Sequence, residues 1–217
     1  MNVPRSNSVY HPDPRPLVLT VPGLAGSGPA HWQSHWEAAR EDCQRVNLGD
    51  VDEPRRNQWV TRLNLAIERA RQPVVLAAHS LGCMAVAWWA EYERPEWCEK
   101  VVGALLVAPP DADAASDRRL LRFAPVPLLP LPFPSIVVAS RNDPYVPLGR
   151  ARQLAGLWGS DFVDAGDLGH INAHSGLGSW MPGQKLLARL LGWRGSSGKS
   201  EAFVATEPPA RQADLSL

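Results

Sequence analysis

The chain has 217 residues, 45% hydrophobic and 20% charged, which suits one domain that buries about 70% of its unfolded surface without metal or disulfide support. Its 22 basic and 22 acidic residues give a formal net charge of zero, so no basic field exists to attract nucleic acid or an anionic membrane. Cys43, Cys83 and Cys98 are widely spaced and odd in number, forming neither a disulfide framework nor a zinc pattern.

The opening "MNVPRSNSVYHPDPRP" is polar and proline-rich. It lacks an apolar stretch of signal-peptide length, and residues 1–15 are expected to form a flexible lead. "PLVLTVP" (16–22) predicts a strand, "AHWQSHWEAAR" (30–40) a helix and "CQRVNL" (43–48) a short strand. In "PRRNQWVTRLNLAIERARQ" (54–72), Trp59, Leu63, Ala66, Ile67 and Ala70 recur at three- and four-residue steps, the mark of an amphipathic helix. "PVVLAAH" (73–79) predicts a third strand, and "LGCMAVAWWAEYE" (81–93) a helix apolar over most of its circumference and therefore buried.

"VVGALLVA" (101–108) and "SIVVAS" (135–140) predict two more strands, separated by a segment that becomes dense in proline over 124–134. That stretch is expected to be either a constrained connection or, the favoured reading, a rigid rim over the pocket. A helix at 147–159, a strand at 161–165 and a helix at 179–193 complete the pattern. After Arg194 the composition shifts, and 195–217 is expected to be a disordered tail. The folded domain thus spans 16–194. No run approaches the roughly 20 apolar residues of a membrane span, and a cytoplasmic location is expected.

Continuous apolar strands alternating with helices imply an α/β fold, a parallel sheet covered on both faces. Ligands of such sheets bind beyond the carboxyl ends of the strands. Four strand ends carry suggestive residues: "PGLAGSGPAHW", "AHSLG", "SRNDP" and "GDLGHINAHSG". Serine, then aspartate, then histidine is the order in which an α/β-hydrolase places its triad. A serine hydroxyl is a weak nucleophile that needs a base in hydrogen-bond reach. A histidine supplies that base, and a carboxylate fixes its tautomer and stabilises the imidazolium. Ser80, His170 and Asp143 are the candidates.

Ser80 stands between a strand and a helix, flanked two residues away by Ala78 and Gly82, giving A-x-S-x-G rather than G-x-S-x-G. Such a turn demands small neighbours. The Leu81 N–H at the helix start and the Leu24 N–H after the first strand are candidate oxyanion donors. Each feature also has a plain structural explanation: a small residue in a tight turn, an aspartate opening "NDPY", a loop histidine. Their joint occurrence after the required strands favours catalysis. His174 is the alternative base, and Asp111 and Asp113 are the rival acids; Asp164 and Asp167 stand near strand ends as well. His79, beside Ser80, is expected to pack or support, and Cys83 to be an inert buried thiol.

"HWQSH" (31–35) and "HINAH" (170–174) each space histidines four apart, but Trp32 and Ile171 occupy the place where a zinc protease needs glutamate. The glycines of "GLAGSG" do not fit G-x-G-x-x-G, so neither metal nor dinucleotide cofactor is expected.

"VPGLAGSGPAHWQSHWE", "AHSLGCMAV", "SRNDPYVP" and "GHINAHSGLGSW" together resemble the retinoblastoma-binding-protein type of small serine hydrolases, from about Pro16 to Trp193. The resemblance implies a single-domain α/β-hydrolase with six parallel strands and no large lid. It also implies a triad of Ser80, Asp143 and His170, with His31 and Trp32 lining the site. The expected function is hydrolysis of a small carboxylic ester, thioester or amide through an acyl-enzyme. The alternatives are an acyltransferase using the same nucleophile and a non-catalytic binding protein on the same fold.

Overall fold

In the computed structural model, residues 15–93 and 100–192 are described. The predicted tail and all of the predicted lead but Arg15 lie outside them, as does Cys98. Six strands, β1 (Leu17–Val21), β2 (Cys43–Arg45), β3 (Val74–His79), β4 (Val101–Val107), β5 (Ser135–Ala139) and β6 (Asp161–Asp164), form one sheet in the order β2-β1-β3-β4-β5-β6. Every pairing is parallel.

The helices are α1 (Trp32–Ala39), α2 (Arg56–Arg69), α3 (Leu81–Glu93), α4 (Arg118–Leu121), α5 (Leu148–Leu157) and α6 (Met181–Gly192). The strands read as unbroken apolar runs because both faces are covered. Leu19, Leu76 and Leu106 point into a core with Trp59 and Leu63 of α2, Met84 of α3 and Leu154 of α5. Val18, Val75, Leu105 and Val138 point oppositely, against Trp32 and Trp36 of α1 and Leu187 and Leu190 of α6. Residues alternating along a strand must face opposite sides, so two helix layers follow.

α3 is buried from Leu81 to Ala90, which its all-round apolarity anticipates. The strand expected over 43–48 pairs only through Arg45, because β2 is an edge. Beyond it Val46 N still donates to Thr20 O at 2.9 Å, and Val46 and Leu48 are buried. The one-turn α4 was not anticipated; Asp117 caps it by accepting from Arg119 N. Among the described residues no helix is long and apolar enough to cross a membrane.

Candidate active site

Ser80 connects β3 to α3 with φ 52°, a left-handed conformation that a non-glycine residue adopts only when its surroundings enforce it. The enforcement is visible. Ser80 N donates to Val107 O at 2.8 Å, and Ser80 O accepts from Cys83 N at 2.8 Å. Close packing at this elbow excludes side chains nearby. A Cβ on Gly23 would lie 2.8 Å from Ser80 Cβ, and one on Gly82 would lie 2.7 Å from Pro22 O.

His170 Nε2 lies 2.7 Å from Ser80 Oγ, and His170 Nδ1 lies 2.9 and 3.0 Å from the two Asp143 carboxylate oxygens. The Asp143 side chain is wholly buried. Its Oδ1 also accepts from Tyr145 N at 2.9 Å, locking the carboxylate's orientation. The three residues come from the ends of β3, β5 and β6 and meet beyond the carboxyl edge of the sheet. Above them lies a cleft of about 350 Å³ whose walls include Leu24, His31, His79, Ser80, Arg119, Tyr145, His170 and His174.

The sequence matches a family described as serine hydrolase over residues 18–189. The chain belongs to the serine hydrolase family. A YdeN-like hydrolase from Pectobacterium atrosepticum is 34% identical, with 82% of this chain and 91% of that one covered at a TM-score of 0.71. The ydeN gene product of B. subtilis is 20% identical over 82% of this chain and 99% of that one, at a TM-score of 0.66. Est1E from Butyrivibrio proteoclasticus shares the fold at 15% identity and a TM-score of 0.61, over 82% and 90% of the two chains. No curated protein matches the chain. The molecule is a single-domain α/β-hydrolase, an enzyme with hydrolase activity.

The remaining site residues of this serine hydrolase separate by geometry. The rival acids Asp111 and Asp113 face Arg150, at 3.3 and 2.9 Å, and Asp164 pairs with Arg141 at 3.0 Å. His174 lines the cleft, but it is His170 that bonds Ser80. The N–H of Leu24 and that of Leu81 have no acceptor among the described residues, whereas the next N–H, that of Ala25, is held by Val51 O at 2.9 Å. Cys83 is fully buried, its thiol pushed up beyond its usual range by desolvation.

Two expectations are corrected. Trp32 does not line the cleft; it is 1% exposed, and its Nε1 donates to Ile171 O at 3.0 Å. It thereby anchors the backbone next to His170, its ring edge-on to Trp36 and tilted against Trp180. The proline-rich 124–134 stretch forms no rim either. Pro127 O accepts from Trp158 Nε1 at 2.8 Å and Leu131 N donates to Trp158 O at 2.9 Å, so it covers the end of α5 instead. Arg119 and Leu120 of α4 form the wall there.

Several supporting residues escaped the sequence reading. Gln33, fully buried, donates to Val21 O at 3.1 Å and Ala77 O at 2.8 Å, tying α1 to the ends of β1 and β3. Asn142 Oδ1 accepts from Gly169 N at 2.7 Å, joining the two loops that carry Asp143 and His170. Its position beside Asp143 was the only available signal. The Tyr145 ring lies 4.4 Å from that of His170. The Nε2–H of His79 donates to His170 O at 2.9 Å.

Burial holds His79 well below the usual histidine range, with the charge of His170 and of His31 adding to the effect. Burial likewise lowers His31 to about 4, assisted by Arg45 and His170. Both are therefore neutral in the folded protein while the unfolded chain takes up protons near pH 6.5. Their contribution to stability is complete above pH 6.5 and is lost as pH falls. For His31 the loss runs from 6.5 to about 4 and amounts to on the order of 3 kcal/mol. Urea unfolding of wild type and His31→Asn at pH 7.5 and 4.5 checks this. The wild type should lose more stability between the two pH values than the variant does.

Proposed function

We propose that this enzyme hydrolyses a small carboxylic ester, thioester or amide through an acyl-enzyme on Ser80. The observation that carries the reading is the continuous chain Asp143–His170–Ser80, with contacts of 2.9 Å and 2.7 Å. Ser80 Oγ attacks the acyl carbonyl while His170 Nε2 takes its proton, and Asp143 holds the Nδ1–H and stabilises the imidazolium. The N–H groups of Leu24 and Leu81 receive the oxyanion, aided by the N-terminus of α3. His170 then protonates the departing alcohol, thiol or amine. Water, deprotonated by the same Nε2, attacks the acyl-enzyme and releases the acid.

A cleft of about 350 Å³ suits a small-molecule substrate. The "GSGPAHWQSHWE" and "GHINAHSG" segments support placing the enzyme with the retinoblastoma-binding-protein type. The buried free thiols Cys43 and Cys83 suit a cytoplasmic setting.

A fluorophosphonate probe should label wild type and spare Ser80→Ala, and p-nitrophenyl butyrate turnover should vanish in the same variant. Equal labelling of both proteins would overturn the assignment. Product analysis with added alcohols or amines separates hydrolysis from acyl transfer.

A further inference from the structure

His31 occupies the cleft wall with a hydrogen-bonding capacity that the fold leaves unused. It precedes α1 as its N-cap, and Nδ1 accepts from Gln33 N at 3.2 Å. An acceptor Nδ1 on a neutral imidazole places the proton on Nε2. Among the described residues that Nε2 has no partner, and the residue is only 2% exposed. A buried donor without a partner is costly, and native proteins rarely retain one without a use. The neighbouring groups do not relieve it. The ring packs edge-on to His79 at 4.6 Å, and His79 spends its own Nε2–H on His170 O. Among the described residues no carboxylate lines the cleft; Asp143 is sealed behind His170.

We propose that the Nε2–H of His31 donates a hydrogen bond to an oxygen of the substrate. The enzyme then favours acyl compounds that carry an acceptor oxygen, such as an ether or hydroxyl, close to the scissile carbonyl. This rests on Ser80 being the nucleophile, since it places His31 in the same cleft as the reacting bond. Because burial lowers His31 to about 4, the donor keeps one form across the neutral pH range. A site built to bond an oxygen discriminates strongly against the analogue that lacks it, since the site's own polar group is then left unpaired.

The test uses the full chain and two matched substrate pairs in which an oxygen replaces a methylene. The acyl pair is p-nitrophenyl methoxyacetate and p-nitrophenyl butyrate. The alcohol pair is the butyrate of 2-methoxyethanol and n-butyl butyrate. His31→Asn removes the ring donor but keeps a good N-cap. It should lower the kcat/KM preference for the oxygen-bearing member of one pair about tenfold relative to wild type. A preference that shifts less than threefold in both pairs overturns the proposal; a larger fall in either pair sustains it.

His31→Ala removes both the donor and the cap. It should repeat the loss of preference while melting a few degrees below His31→Asn, which separates the two roles. Failure of the nucleophile assignment reads differently: turnover of p-nitrophenyl butyrate would then persist in Ser80→Ala.

Discussion

Replacing Asp143 with asparagine is expected to lower kcat by about 10⁴-fold while leaving the fold intact. The size follows from tautomer control. In the native enzyme both carboxylate oxygens lie within 3.0 Å of His170 Nδ1, so that nitrogen carries the proton and Nε2 is free to accept from Ser80. Tyr145 N–H already bonds Oδ1 at 2.9 Å, and in the variant it holds the amide oxygen at that position. The amide NH₂ then faces Nδ1 as a donor. Imidazole answers by moving its proton to Nε2, and the base that should receive the serine proton becomes a second donor. Substrate binding does not use the Asp143 side chain, which is wholly buried, so KM should change far less than kcat. Steady-state kinetics on p-nitrophenyl butyrate, with thermal melts to check folding, decide it. A fall in kcat below tenfold would mean that Asp143 does not govern the base.

The candidate triad was legible because its parts lie at strand ends, and strand ends are marked by apolar runs giving way to turn residues. "PVVLAAHSLG" and "SIVVASRNDP" show this directly, and the register of β3, β4 and β5 carries both ends to one edge of the sheet. Support for those residues comes from contacts distant in sequence. Trp32 reaches Ile171 across 139 positions, His79 reaches His170 across 91, and Gln33 reaches Ala77 across 44. No periodicity encodes such pairs. The "HW" pair of residues 31 and 32 illustrates the limit: adjacent residues on a helix entry point apart. His31 therefore faces the cleft, while Trp32 packs against the sheet and the His170 loop. The proline-rich stretch misled for a related reason. Proline sets local stiffness, but the partner that a stiff segment covers, here Trp158, is decided elsewhere in the chain.

Substituting Gly82 with alanine should destabilise the enzyme by about 3 kcal/mol, opposite in sign to the usual gain of about 1 kcal/mol from this change inside a helix. The added Cβ would lie 2.7 Å from Pro22 O and closer still to Val21 O, both backbone atoms. Neither can yield cheaply. Val21 is fully buried in the paired part of β1, and its carbonyl accepts from Gln33 Nε2 at 3.1 Å. Relief requires either α3 to move away from the sheet, carrying the Leu81 N–H with it, or the end of β1 to move, carrying the Leu24 loop. Either motion separates the two proposed oxyanion donors, so activity should fall together with stability. Ala78, two residues before Ser80, escapes this constraint; its side chain packs in the apolar core, which is why alanine is tolerated there and glycine is needed at 82. Gly156 in α5 supplies the control, because a Cβ there meets nothing within 4 Å. Gly156→Ala should raise the melting temperature slightly while Gly82→Ala lowers it by roughly 6–12 °C. Equal shifts in the two variants would show that the elbow does not depend on the close approach of α3 to β1.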